Sequence, residues 1–299
     1  MHNDQWDLDW AFEQQVIDLP VAGATRHLVV TSGKMGIIEA MDAATGQYLF
    51  SKDQGIQNVI SAIDPQTGEK TINPAVVVGD GMPHTIWPAS GRRARNWNAT
   101  SYNPDTKILY TPMVESCMDL IPAAPGERGN LSSGYNWTIR PRPDTDGKYG
   151  RFEALNLETR EVLWTDRQRA PGTTCMLATA GGVVFAGSLD RYLRAYDDTT
   201  GKELWTVRMS DVPSSCPISY SVQGPAVHRG RCRQWRDRIP DLPDPRAGDP
   251  KSPGACLIGL GVRAAAAHPT LRRRSSRPAG WIPDTHARRR SDPGRTFSQ

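Results

Sequence analysis

One phrase recurs along this chain and limits its fold more than any other feature. It runs alanine, any residue, aspartate or asparagine, two further residues, Thr-Gly, then an apolar or aromatic residue about four positions on. It reads AMDAATGQYLF at 40–50, AIDPQTGEK at 62–70, ALNLETREVLW at 154–164, with arginine in place of the glycine, and AYDDTTGKELW at 195–205. The step from the acidic residue to the glycine suits a tight turn, in which Asp or Asn bonds backbone amides and Gly supplies a positive φ. The last two copies begin 41 residues apart, the length of one four-stranded propeller blade.

Between the turns lie short runs rich in β-branched and aromatic residues: HLVVTSG (27–33), KILYTPMV (107–114), GGVVFAGS (181–188) and YLRAYD (192–197). Bounded by Gly, Pro, Asn and Asp, they read as strands, and helical periodicity is nearly absent. The expectation is an all-β fold, with blade-length repeats favouring a propeller over an unspecialised sandwich. Trp164 and Trp205, on the strands leaving two of the turns, are expected to pack between neighbouring blades.

Charge divides the chain. Residues 225–299 hold 15 Arg, one Lys, six Asp and no Glu, a net +10, whereas residues 1–224 carry −6. The tail also has ten prolines and two arginine triplets, a composition expected of a disordered segment. The domain reading is therefore a propeller segment at 1–224 and a basic Pro/Arg-rich tail at 225–299. Few aromatics interleave the arginines (Trp235, Trp281 and Phe297) and no nucleic-acid motif occurs, so a nucleic-acid partner is not expected. No run approaches the roughly 20 apolar residues of a membrane helix. The opening MHNDQWDLDW lacks the basic-then-apolar pattern of a signal peptide. Five cysteines show no metal-ligand spacing and do not by themselves fix the compartment.

Several stretches resemble the C-terminal half of the pyrroloquinoline-quinone (PQQ) dependent alcohol dehydrogenases of the methanol and ethanol type. They are NDQWDLDW (3–10), SGKMGIIEAMDAATGQYLFS (32–51), TINPAVVVGDG (71–81), RNWNATSYNPDTKILYTP (95–112), ESCMD (115–119), LATAGGVVFAGSLDRYLRAYDDTTGKELW (177–205) and DVPSSCPISYSVQG (211–224). The resemblance implies about four blades of an eight-bladed β-propeller, with PQQ and a calcium or lanthanide ion at its axis. It implies oxidation of a small alcohol to an aldehyde, electrons passing to a cytochrome c, and a periplasmic location.

Carried over residue by residue, Asp7 in WDLD matches the general base and a metal ligand. Asp9 stands where lanthanide-using members carry an additional carboxylate; two positions apart on an extended segment, the pair shares a face. Lys34 in SGKMG matches the cation set against the quinone oxygens, and Asn96 in RNWN an asparagine that contacts PQQ. Without the resemblance the same residues read as exposed terminal carboxylates, a solvated turn lysine and a turn asparagine.

The sequence departs from the family in several ways. Other metal ligands, a vicinal cysteine pair and the tryptophan floor beneath PQQ have no counterpart here, so the chain alone is expected to be inactive. A separately encoded N-terminal half would complete it; the competing reading is a non-catalytic propeller fragment acting as a binding module. Cys117 in ESCMD has a family disulfide partner in a motif that here reads Thr85-Ile86-Trp87-Pro88, so Cys117 is expected to be unpaired. Read one nucleotide later, codons for residues 227–253 can spell family-like sequence, which suggests a frameshift just upstream of Val227.

Overall fold

A computed structural model describes residues 4–10, 12–89, 94–129 and 134–220, and the backbone of 227–229. These fall in one compact unit, Met1–Val262. Most of the expected tail lies outside the described residues.

Three four-stranded antiparallel sheets form the frame. The first is a meander of β1 (Gln15–Val21), β2 (Ala24–Ser32), β3 (Ile37–Asp42) and β4 (Tyr48–Asp53). A hairpin of β5 (Ile60–Ile63) and β6 (Lys70–Ile72) follows, and then β7 (His84–Ile86). The second four-stranded sheet holds β8 (Ser101–Asn103) and β9 (Ile108–Val114). The chain then leaves it for β10 (Ser116–Pro122) and β11 (Tyr135–Pro141), which join β7 in a three-stranded sheet. It returns to complete the second sheet with β12 (Gly150–Asn156) and β13 (Glu161–Gln168). The third is again a meander: β14 (Leu177–Thr179), β15 (Val183–Gly187), β16 (Tyr192–Asp197) and β17 (Glu203–Arg208). Backbone pairing continues past residue 224, where β18 (Ile218–Tyr220) pairs with β19 (Val227–Arg229). Among the described residues the only helical elements are single 3₁₀ turns at Pro74–Val76 and Pro143–Thr145. The fold is all-β, a partial propeller of four-stranded blades.

The repeated phrase builds the same device each time. Asp42 Oδ1 accepts from the amides of Ala44 and Thr45, at 3.1 and 3.0 Å. Asp64 receives Gln66 and Thr67 at 2.8 Å each, and Asp197 receives Thr199 and Thr200 at 3.2 and 2.8 Å. Gly46, Gly68 and Gly201 take the left-handed conformation that closes each turn, at φ 73°, 74° and 69°. In the third copy Arg160 holds that conformation at φ 62°. The strand before three of these turns carries a bulge at the phrase's alanine: Ala40/Met41, Ala154/Leu155 and Ala195/Tyr196. Bulges raise local twist, and these alanines are at most 4% exposed, so a small side chain is needed where the twisted strand meets its neighbour.

A fifth turn of this kind was not legible from the Thr-Gly pattern. At 103–107, Asn103 Oδ1 accepts from Asp105 and Thr106, at 3.0 and 3.4 Å, and Lys107 takes the glycine position at φ 61°.

The sheets join through aromatic-on-glycine contacts. A Cβ at Gly201 would sit 2.6 Å from the Trp164 ring, and one at Gly68 2.5 Å from the Tyr48 ring. The Trp164 indole also donates to the Asp198 carbonyl at 3.0 Å and stacks on Tyr196 at 5.8 Å. Trp164 is thus a docking residue between blades, as expected. Trp205 is only half-buried among the described residues. One apolar cluster joins the first sheet to the second through Leu28, Val30 and Ile38 against Leu109, Leu155 and Leu157. Another joins the second to the third through Tyr110, Phe152 and Trp164 against Val184 and Tyr196. Burial drives the Tyr110 and Tyr196 hydroxyls well above the usual tyrosine range, reinforced by Asp198 and Asp166 respectively.

Candidate active site

The segment carrying Asp7 and Asp9 is an arm whose burial alternates, but it is not extended throughout as the sequence led one to expect, because Asp7 takes a left-handed conformation. Trp6 and Leu8, each 1% exposed, enter the core with Met35, Ile37, Val76 and Ile86, while Asp7 and Asp9 face outward. Polar bonds fix the arm in place. The Trp6 indole donates to the Val76 carbonyl at 2.9 Å, and the Gln5 amide both donates to and accepts from Val78, at 3.2 and 3.0 Å. Asp4 accepts from the amides of Trp6 and Leu8. Asp7 itself sits at φ +59°, a region that costs a non-glycine residue energy.

Lys34 follows β2 at a turn that needs small residues. A Cβ at Gly33 would strike the Trp10 ring at 2.6 Å, and Gly36 lies at φ +71°. Lys34 is 4% exposed, which rules out the solvated turn lysine that its local sequence allows. Its ammonium donates to Asp7 Oδ1 at 2.9 Å and pairs with Asp9 Oδ1. The two carboxylates are half exposed. A buried cation is tolerated only when paired, so the alternation of the arm and the burial of Lys34 depend on each other. The structure brings together Asp7, Asp9 and Lys34.

Asn96 lies elsewhere, though close by in bonding. It lines a cavity of about 190 Å³ together with Ala94, Arg95, Asn98, Gly172 and Thr173. Asp7, Asp9 and Lys34 are not part of that wall. The link is Ala94, whose amide donates to the Lys34 carbonyl at 2.9 Å. Asn98 Nδ2 is buried without a hydrogen-bond partner among the described residues. Arg95, 1% exposed, reaches back from the cavity wall to the Ser32 carbonyl and to Glu13.

Among the described residues no group of three or more His, Cys, Asp or Glu side chains could hold a metal ion. Asp7 and Asp9 supply hard oxygen donors of the kind calcium and its relatives take, yet a full shell requires about six to eight such oxygens. This chain fits part of such a shell.

The three cysteines among the described residues behave as two classes. Cys117 is buried and free, as expected, and burial raises its thiol above the ordinary value. Cys175 and Cys216 form a disulfide, Cα atoms 4.5 Å apart and 41 positions apart in sequence. That spacing equals the blade repeat, so the pair occupies like positions in consecutive repeats; the signal was present in Thr-Thr-Cys and Ser-Ser-Cys.

Comparison with known proteins agrees with this architecture. Residues 82–226 match the family model described as PQQ: glucose/ethanol/alcohol dehydrogenase, beta-propeller domain. The chain is 30% identical to quinohemoprotein alcohol dehydrogenase ADH-IIG of Pseudomonas putida over 235 residues, covering 74% of this chain and 32% of that protein. It is 27% identical to lupanine 17-hydroxylase [cytochrome c] of a Pseudomonas species, covering 75% and 32%. Its backbone superposes on a europium-containing methanol dehydrogenase with a TM-score of 0.68 at 23% identity, covering 77% of this chain and 40% of that one. The chain spans about a third of the length of the curated relatives it matches. Over roughly three quarters of its length, then, the chain is similar to quinoprotein alcohol dehydrogenases, and residues 82–226 match their PQQ-type β-propeller domain.

Proposed function

We propose that this chain contributes part of the active centre of a PQQ-dependent alcohol dehydrogenase, which oxidises an alcohol to an aldehyde and passes electrons to a cytochrome c. The observation that carries the reading is the Lys34 ammonium, 4% exposed and held between Asp7 and Asp9. When bound, PQQ supplies an acceptor for the substrate's hydride, and a calcium or lanthanide ion supplies Lewis acidity.

The chain's own residues do the rest. Asp7 takes the alcohol's hydroxyl proton on its outward carboxylate and, with Asp9, offers oxygens to the ion. Lys34 holds the Asp7 carboxylate in place, and presents positive charge to a quinone oxygen as negative charge develops there. Asn96 offers its amide to the cofactor from the wall of the adjoining cavity. The remaining donors and blades of such a centre are not supplied by these residues. The Cys175–Cys216 disulfide supports a periplasmic location, since such bonds persist in oxidising compartments. The tail at 225–299 is read as out of frame; what supports this is that the family match stops at residue 226. Genomic sequencing across codons 220–230 tests it, and an intact frame would refute it.

The test of function is complementation. The purified chain with PQQ and calcium or a lanthanide is expected to give no dye reduction with ethanol. Mixed with a polypeptide supplying the missing blades, it is expected to turn over. Failure of the complemented protein under both metals would leave the binding-module reading in its place.

A further inference from the structure

Glu13 and Arg95 stand 82 positions apart and meet inside the molecule. Each bonds to a different piece of the candidate site. One Glu13 oxygen accepts from Arg95; the other accepts from the Thr100 amide and hydroxyl, at 2.7 and 2.9 Å. The Glu13 carbonyl accepts from the Thr31 hydroxyl at 3.2 Å. Arg95 donates its other terminal nitrogen to the Ser32 carbonyl, two residues before Lys34, and lies over the Phe12 ring at 5.2 Å. Thus the arm that bears Asp7, the strand end that bears Lys34 and the loop that bears Asn96 all meet at one ion pair. Arg95 is 1% exposed and lines the same cavity as Asn96. A planar fork with fixed donors can set the spacing of two backbone segments in a way a lysine could not.

We propose that Glu13, acting through Arg95, is a positioning residue that sets Lys34 and Asn96 at a fixed separation; this rests on the reading of those two as cofactor contacts. Burial pulls the Arg95 guanidinium below its ordinary pKa, and Glu13 opposes that pull. Replacing the carboxylate by an amide leaves a buried cation unpaired and leaves one acceptor oxygen where Arg95 and Thr100 had two.

Hydrogen exchange on the full chain separates positioning from bulk stability. In Glu13→Gln, amides in 31–36 and 94–100 are expected to exchange at least about tenfold faster, with 177–208 unchanged. The double variant Glu13→Gln/Arg95→Met removes the unpaired charge, so its melting temperature is expected to recover, while 94–100 remains fast because the fork to Ser32 is gone. Unchanged protection in Glu13→Gln, acceleration spread evenly over all sheets, or full local recovery in the double variant would each overturn the proposal. PQQ added to the complemented wild-type protein is expected to slow exchange at 33–36 and 94–98. Absence of that slowing, with the variant results as expected, sinks the cofactor reading and leaves the staple intact.

Discussion

At the scale of single residues, two positions decide most. Asp7, the base in the proposed function, is held in place because its neighbours Trp6 and Leu8 are anchored and its carboxylate meets a buried ammonium. In the complemented enzyme, Asp7→Asn is expected to lower kcat by about 10²–10⁴-fold with smaller change in KM, read by dye reduction. Lys107 is the converse case. It occupies a left-handed turn position, φ 61°, that three other copies of the turn give to glycine. Lys107→Gly removes that strain, and a gain of about 0.5–1 kcal/mol is expected in denaturant unfolding. Arg160 shares the conformation but lies over the Phe50 ring at 4.6 Å, so the same change there forfeits a cation–π contact and yields less.

At the scale of elements, turn and docking partner form one unit. Gly201 must be glycine twice over: its φ is positive and the Trp164 ring occupies the space a methyl would take. Gly201→Ala is expected to destabilise by about 2 kcal/mol or more, and Trp164→Ala by about 3–5 kcal/mol, both measured by chemical denaturation. The turns also set an acid limit. Hydrogen bonds from Thr200, side chain first and then amide, hold the Asp197 carboxyl below its ordinary pKa. A depressed folded pKa contributes stability above the unfolded value, and that contribution is lost as pH falls through the folded one. Thermal stability should therefore decline below about pH 4, and less steeply in Asp197→Asn.

Much at this scale was legible in the sequence. The Asp-x-x-Thr-Gly phrase encodes its turn locally, so strands, turns and the docking role of Trp164 could be read without the fold. The turn at Asn103 escaped because it lacks the phrase's alanine as well as its glycine, with Ser101 and Lys107 in those places. The pairing of Glu13 with Arg95 had no local signal at all, since nothing in either neighbourhood marks a partner 82 residues away. Likewise the burial of Lys34 depends on an arm that reads as a free terminus until Trp6 and Leu8 are seen in the core.

For the whole molecule, the Cys175–Cys216 disulfide closes a loop spanning one repeat. Cys175→Ser is expected to cost about 3–4 kcal/mol by loop-closure entropy, and a reductant should reproduce the loss in the wild type but add nothing to the variant. Among the described residues, ring-on-glycine contacts, two apolar clusters and hydrogen bonds such as Asn103 to Asp198 each link neighbouring elements of the frame. Cohesion passed from neighbour to neighbour in this way is stored in separable parcels. Heating should therefore melt the chain in stages, the sheet beyond a weakened joint loosening first, and a calorimetric peak broader than a single all-or-none transition should mark it.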